Sequence, residues 1–235
     1  MSSLLRNRRI LLTGVSRGVG LASARLLLRE GARVVGVARD PARLKSVQSE
    51  LSELGEYHGI CADLASDTAA ETIRKGVSSL FDGLDVIVNN AGVMLSHEPE
   101  LTAEPEGKLE ETLAINLLAP FRITRALLSL LERGTEPRVI NVSSGAGTFS
   151  GMLEPKIASY RLSKWSLNGL TMLQAKEWAG KISVLAFDPG WVRTDLGGPQ
   201  APGVPEESAA GLLKTILLPS SLTGQFVKDG EILPF

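Results

Sequence analysis

The chain has 235 residues, of which 43% are hydrophobic and 22% are charged, with one cysteine and a formal net charge of -1. This length allows one large domain, and the composition excludes a disordered chain. Because the positive and negative charges balance, the chain has no overall positive charge that would attract nucleic acid or an anionic membrane. A single cysteine excludes an internal disulfide and a metal site with several thiolates, so we expect no metal. We see no signal peptide, and no apolar run approaches the roughly 20 residues of a membrane span, so we expect a soluble, cytoplasmic protein.

Short apolar segments alternate with longer segments of helical composition. Strands are predicted at 10–13, 33–38, 84–89, 138–143 and 182–188, and helices at 19–30, 41–54, 68–80, 108–131, 158–178 and from 206 onward. Continuous apolar runs within the strands are typical of parallel strands covered on both sides. We therefore predict an α/β fold, a doubly wound Rossmann-type parallel sheet with helices on both faces, as a single domain over 1–235. A loop at about 194–205, rich in Gly and Pro, is predicted to be a lid over the substrate.

The first predicted strand leads directly into a glycine-rich turn, TGVSRGVG at 13–20. Glycines let the backbone approach a pyrophosphate, and the N-terminus of the next helix offers free N–H groups and the positive end of a dipole. Such a turn alone also fits a tight strand-to-helix connection without a ligand. The spacing Gly14-xxx-Gly18-x-Gly20 resembles the TGxxxGxG turn of the short-chain dehydrogenase/reductase family.

Other motifs of that family follow in the family's order along the chain. They are Asp63-Leu64, Asn89-Asn90-Ala91-Gly92, Asn116, Tyr160-xxx-Lys164 and Pro189-Gly190-Trp191-Val192-Arg193-Thr194. The chain is thus similar to the family over essentially its whole length. The segment 160–164, the Pro-Gly-Trp-Val turn, Gly197-Gly198-Pro199 and the ending 229–235 look like the branch that contains the C-factor and sniffer carbonyl reductases.

The resemblance implies a nicotinamide cofactor. The cofactor-binding residues that it implies are Gly14, Ser16, Arg17, Gly18, Val19, Gly20, Arg39, Asp63, Leu64, Asn90, Ala91, Gly92, Tyr160, Lys164, Pro189, Gly190, Val192 and Thr194. An NAD-selective site usually has an acid after the second strand, but Asp40 stands directly before Pro41 and is better explained as a helix cap. Arg17 and Arg39 offer two cations for a 2'-phosphate, which predicts NADPH rather than NADH. The alternative is that both are solvated loop arginines.

Tyr160 and Lys164 are four residues apart on a predicted helix and therefore share one face. We predict that the ammonium of Lys164 lowers the pKa of the Tyr160 phenol toward neutrality. The resemblance assigns proton donation to Tyr160, binding of the nicotinamide ribose to Lys164, and a water-linked role in a kinked helix to Asn116. The family's serine is Ser143 or Ser144, and we choose Ser144, which can donate a hydrogen bond to the carbonyl oxygen.

These motifs indicate an NADPH-dependent oxidoreductase that reduces an aldehyde, ketone or quinone, or oxidises the alcohol in the reverse direction. An alternative is an NADP(H)-binding regulatory or signalling protein with little turnover. An apolar substrate pocket is predicted from Phe149, Met152, Leu153, Trp191 and Leu196, although ordinary packing explains each equally well. We expect a small-molecule partner, no nucleic acid and no membrane. A homodimer or homotetramer through the helices at 108–131 and 158–178 is expected from the resemblance, although monomers occur in the family.

Overall fold

The computed structural model describes residues 3–97 and 100–235. Its centre is one eight-stranded sheet in the order β3-β2-β1-β4-β5-β6-β7-β8. The strands are β1 (Arg9–Thr13), β2 (Arg33–Ala38), β3 (Tyr57–Cys61), β4 (Val86–Asn89), β5 (Arg138–Val142), β6 (Ser183–Phe187), β7 (Gln225–Lys228) and β8 (Glu231–Leu233). Strands β1 to β7 are parallel, and β8 pairs antiparallel with β7.

Helices cover both faces of this sheet. They are α1 (Gly18–Arg29), α2 (Pro41–Leu54), α3 (Ala69–Leu80), α4 (Lys108–Leu131), α5 (Ala158–Glu177) and α6 (Pro205–Ile216). One apolar cluster joins α1, α2 and α6 to one face, and a second joins α3, α4 and α5 to the other. Every residue of β4, β5 and β6 is buried, which explains the continuous apolar runs 86–88 in β4 and 184–187 in β6. The predicted doubly wound fold is confirmed.

The strands β3, β7 and β8 are not among the predicted strands. In β3 only Tyr57 is buried, and in β7 only the two central residues are buried, while β8 has three residues. Such short, half-exposed strands near the edges of the sheet carry too little periodicity to be recognised. The antiparallel pairing of β7 with β8 means that the sheet is mixed at this edge rather than wholly parallel.

Helix α4 departs from regular α-helical geometry at Ala114–Leu118, a π-helical segment that includes Asn116. This is where the resemblance implies a kinked helix, and π segments are a common cause of kinks. By length and mean hydropathy, 1.4, α4 is the one described helix that could cross a bilayer, which the sequence analysis did not predict. Its apolar side, including Ile123 and Leu127, packs into the core beside α3, and this packing explains its composition.

Candidate active site and cofactor cleft

A cleft of about 1150 Å³ opens at the carboxyl ends of the parallel strands. The strand order reverses between β1 and β4 at this edge, the usual position of a ligand crevice in open α/β sheets. Every cofactor-binding residue predicted above lines the cleft, together with Ser144. Asn116 does not line it. The fold therefore brings motifs that extend along the chain from Gly14 to Thr194 together in one cavity.

The glycine-rich turn forms a backbone cradle at one end of the cleft. Gly14 has a φ of 75°, and a Cβ on Gly20 would overlap the carbonyl oxygen of Gly14. The N-terminus of α1 has no side-chain cap, so its first N–H groups have no side-chain acceptor there. An uncapped helix N-terminus beside a side-chain-free backbone is suited to a pyrophosphate. The residues present thus fit a dinucleotide.

The ends of β1 and β4 are joined directly beneath this cradle. The amide nitrogen of Asn90 donates to the carbonyl oxygen of Thr13 at 2.8 Å. The hydroxyl of Thr13 accepts from the backbone N–H groups of Asn90 and Ala91, each at 3.0 Å. Asn90 therefore shapes the cleft wall, since its side chain holds two strands together. Direct contact between its side chain and a cofactor stays a prediction.

The end of β2 presents cations to the cleft. The side chain of Asp40 accepts from the N–H groups of Ala42 at 2.9 Å and Arg43 at 3.1 Å, so its predicted role as the cap of α2 is confirmed. Arg39 is exposed and, among the described residues, its guanidinium makes no hydrogen bond or ion pair. Arg43 also lines the cleft, 3.7 Å from the carboxylate of Asp40. Arg43 was not predicted as a cleft residue, although a second arginine four positions after Arg39 was the available signal.

Arg17 lines the cleft, and its predicted contact with a 2'-phosphate stays a prediction. Its guanidinium forms an ion pair with Asp195, in the loop after β6 on the opposite wall of the cleft. Both side chains are mostly exposed, at 59% and 68%. The physical reason is that a long, flexible arginine reaches the nearest carboxylate. Exposed pairs of this kind contribute about 0–1 kcal/mol, so this pair holds Arg17 only weakly.

Tyr160 and Lys164 lie on one face of α5, as predicted, and both are buried. The ammonium nitrogen of Lys164 lies 5.6 Å from the centroid of the Tyr160 ring. It donates a hydrogen bond to the carbonyl oxygen of Val142 at 2.8 Å. The last residue of β5 thereby fixes the position of the lysine, and both side chains reach the cleft.

The two serines after β5 have different partners. The hydroxyl of Ser143 is buried and donates to the side chain of Asn168 at 2.6 Å. The hydroxyl of Ser144 accepts from the backbone N–H of Ala146 at 3.1 Å and interacts with the phenol of Tyr160. Ser144 is thus the serine beside the tyrosine, and this geometry supports the choice of Ser144.

The electrostatics of this group differ from the sequence-based expectation. Burial raises the pKa of Tyr160 to about 12; the Ser144 hydroxyl acts to lower it and the charge of Asp188 to raise it. Burial lowers the pKa of Lys164 to about 8. The predicted net lowering of the Tyr160 pKa toward neutrality is therefore not seen in this structure, because desolvation of the phenolate is the largest effect.

Asn116 lies behind the cleft wall, where 1% of its surface is exposed. Its side-chain oxygen accepts from the N–H of Val93, and its amide nitrogen donates to the carbonyl of Val93, both at 2.8 Å. The same nitrogen donates to the hydroxyl of Ser163 at 3.0 Å. These bonds hold the segment after β4 against α5, near Lys164. The water-linked role that the resemblance implies stays a prediction.

The substrate end of the cleft differs in part from the predicted apolar pocket. Trp191 and Leu196 line it, whereas Phe149, Met152 and Leu153 do not. Phe149 and Leu153 are 66% and 76% exposed, on and just after a short outer helix. The insertion between β5 and α5 folds into its own helical turn, which directs these side chains outward. Four charged residues that the sequence analysis did not single out also line the cleft: Glu154, Arg161, Asp188 and Lys228.

The loop after β6 closes on itself beside this end. Val192 pairs with Gly203 at its base, where the N–H of Arg193 donates to the carbonyl of Gly203 at 2.9 Å. The indole N–H of Trp191 donates to the carbonyl of Gly197 at 2.7 Å. The predicted lid at 194–205 therefore lies in a closed loop next to the cleft. Opening and closing of this loop stays a prediction.

A family model described as short chain dehydrogenase matches residues 8–204. The chain belongs to this family. It is 32% identical to an NADPH-dependent pterin aldehyde reductase of Arabidopsis thaliana over 83% of the chain and 79% of the relative. It is 29% identical to a D-beta-hydroxybutyrate dehydrogenase of Cupriavidus necator over 97% of the chain and 89% of the relative. The carbonyl reductase Sniffer of D. melanogaster superposes with a TM-score of 0.90 at 28% identity, covering 98% of this chain and 100% of that one. The chain is thus an oxidoreductase of the short-chain dehydrogenase/reductase family.

Proposed function

We propose that this short-chain dehydrogenase/reductase uses NADPH to reduce the carbonyl group of an aldehyde, ketone or quinone, with Tyr160 as the general acid. The observation that carries the proposal is that buried Tyr160 and Lys164 lie with half-buried Ser144 in a cleft whose other end fits a dinucleotide. Two similar proteins support the chemistry: the pterin aldehyde reductase and an NADPH-bound carbonyl reductase from chicken fatty liver, with a TM-score of 0.89 and 27% identity.

The side chains suit proton donation to a carbonyl oxygen. A bound reduced nicotinamide supplies the hydride to the carbonyl carbon. Tyr160 gives its phenolic proton to the oxygen as negative charge develops there, and Ser144 donates a hydrogen bond to the same oxygen. Lys164 carries positive charge beside the phenol and stabilises the tyrosinate that remains after transfer.

The raised pKa of Tyr160 bears on how the rate in each direction depends on pH. With its pKa raised to about 12 by burial, Tyr160 is protonated at neutral pH and ready to act as an acid. Alcohol oxidation requires the tyrosinate as a base, which is scarce at that pH. We therefore propose that the rate of carbonyl reduction is high near neutrality and that the rate of alcohol oxidation rises as the medium becomes more alkaline.

Arg39 is the proposed determinant of cofactor preference. Arg39→Glu is expected to lower kcat/KM for NADPH about 100-fold and to leave that for NADH within about threefold, since a phosphate loses a cation and meets an anion. The measurement is NADPH and NADH oxidation by absorbance with a panel of aldehydes, ketones and quinones. Arg6→Glu, at an exposed position away from both the cleft and the helices α4 and α5, is the matched charge reversal.

Two outcomes of this assay would change the proposal. An equal loss of kcat/KM with NADPH and with NADH in Arg39→Glu would mean that Arg39 does not bind the 2'-phosphate. Tight NADPH binding without turnover of any carbonyl in the panel would favour the alternative, an NADP(H)-binding regulatory or signalling protein.

The proposed assembly is a homodimer through α4 and α5. Large apolar side chains remain exposed on these helices in the single chain: Leu118, Phe121, Trp165, Met172 and Leu173. Contiguous exposed apolar surface marks interaction sites. Light scattering is expected to give twice the 25.0 kDa of one chain, and Leu173→Glu is expected to shift the mass toward the monomer. A monomer at all concentrations of the unaltered protein would refute this assembly.

The proposed setting is the cytoplasm, with a small carbonyl compound as the partner. Cys61, the one cysteine of the chain, is a free and exposed thiol. Free, exposed thiols persist in reducing compartments.

A further inference from the structure

The segment between β5 and α5 forms one side of the substrate end of the cleft. Gly151, Glu154 and Ile157 from this segment line the cleft. The stretch 153–156 is exposed, and its residues lie between a short helix, Phe149–Met152, and the first turn of α5. Exposed connections of this kind have many accessible conformations unless specific contacts restrict them.

The backbone of this segment has an unfavourable conformation just before α5. Lys156 and Ile157 have φ values of 70° and 52°, in the left-handed region. Such values are uncommon for residues other than glycine and are outliers for a β-branched side chain. Surrounding contacts must therefore hold the two residues in place. Tyr160 follows Ile157 by three residues, so the same backbone sets where the helix that carries the tyrosine begins.

One side chain supplies those contacts. The guanidinium of Arg161 donates to three backbone carbonyl oxygens of the segment: Gly151 at 2.5 Å, Lys156 at 2.9 Å and Pro155 at 3.1 Å. Three different nitrogens make these bonds, and only the planar guanidinium group of an arginine offers three donors in this arrangement. Because Arg161 stands on α5, it fastens the segment to the helix that carries Tyr160.

We infer that Arg161 is a positioning residue that holds the segment 151–157 as a fixed wall of the substrate site, and thereby sets the affinity for the carbonyl substrate without contacting the cofactor. The part of this inference that concerns the substrate rests on the proposed function. Bulky, rigid carbonyl compounds gain most from a fixed wall, since they bury surface against it. Small aliphatic aldehydes depend on it less.

The first test is independent of turnover. Arg161→Gln is expected to increase the rate at which a lysine-specific protease cuts after Lys156 by about 10-fold, because freeing a held segment raises the population of its open form. The thermal unfolding midpoint of the same variant reports whether the fold is intact. Arg6→Gln, at an exposed position away from the cleft and from α4 and α5, is the matched control and is expected to leave cleavage unchanged. An unchanged cleavage rate in a folded Arg161→Gln protein would overturn the inference.

The second test uses para-nitrobenzaldehyde and acetaldehyde as probes with NADPH. Arg161→Gln is expected to raise KM for para-nitrobenzaldehyde about 10-fold, to change kcat less than about threefold and to leave the Kd of NADPH unchanged. Arg161→Lys is expected to restore part of the KM, since an ammonium can reach some of the same carbonyls. An equal rise in KM for acetaldehyde, or a change in NADPH affinity, would contradict the inference. If the unaltered protein reduces no carbonyl compound, the proposed function fails while the proteolysis test still decides the role of Arg161.

Discussion

Tyr160→Phe is expected to lower kcat for carbonyl reduction by about 10²- to 10⁴-fold, because the substitution removes the proton donor and leaves the ring in place. The Kd of NADPH is expected to stay within about twofold, since the phenol is one of many groups on the cleft wall. The measurement is the steady-state oxidation of NADPH with para-nitrobenzaldehyde, together with fluorescence titration of the cofactor.

The chain offers a matched control for this variant. It has two tyrosines, and the other one, Tyr57, is buried on β3 with a hydroxyl that has no hydrogen-bond partner among the described residues. Tyr57→Phe removes the same atom from a second buried ring and is expected to leave kcat unchanged. Removal of an unsatisfied buried hydroxyl is expected to keep or slightly raise stability. Retention of more than a tenth of the activity in Tyr160→Phe would show that another group donates the proton.

Lys164→Met is expected to abolish turnover and, at neutral pH, to stabilise the protein without cofactor. The methionine removes the cation beside Tyr160 and the donor to Val142, so we expect a loss in kcat of at least about 10²-fold. Burial lowers the pKa of Lys164 to about 8, which means that folding disfavours the charged form. Lys164→Met removes that cost but also loses the hydrogen bond to Val142. The net result is expected to be a rise in the free energy of unfolding on the order of 2 kcal/mol.

The sign of this effect can be tested by its pH dependence. A lysine with a lowered pKa in the folded state binds fewer protons there than in the unfolded state between about pH 8 and its ordinary value of 10.5. The unaltered protein is therefore expected to gain stability relative to Lys164→Met as the pH rises through this range. Denaturant unfolding at pH 7 and pH 10 measures the difference. A variant less stable than the unaltered protein at pH 7 would show that the ammonium is favourably solvated in the fold.

Much of the site was predictable because it depends on residues close together in the sequence. The turn at Gly14 to Gly20 needs a strand, three glycines and a helix, all within one short segment, and Tyr160 and Lys164 share a face through helical periodicity alone. Asp40 caps α2 because the cap and the N–H groups that it accepts from are neighbours. In each case local geometry determines the contact.

Other features of the site could not be predicted from residues that are close together in the sequence. The ion pair between Arg17 and Asp195 joins two loops on opposite walls of the cleft. The hydrogen bonds of Asn116 to Val93 depend on how α4 packs against the segment after β4. The outward direction of Phe149 depends on an inserted helical turn that has no strong periodicity. Contacts between distant segments are set by packing, which spacing along the chain does not specify.

By itself, the sequence determined the α/β class, the cofactor turn and the order of the motifs, because binary patterning and short-range spacing are properties of the chain. The tertiary structure alone decided the pKa of Tyr160, since burial is a property of the whole fold. It also favours Ser144 over Ser143, because Asn168 accepts a hydrogen bond from Ser143 while Tyr160 lies beside Ser144. The three carbonyls that bind Arg161 come together only when the inserted segment folds back on α5. Desolvation and long-range contacts act through three-dimensional neighbours, and these neighbours exist only once the chain has folded.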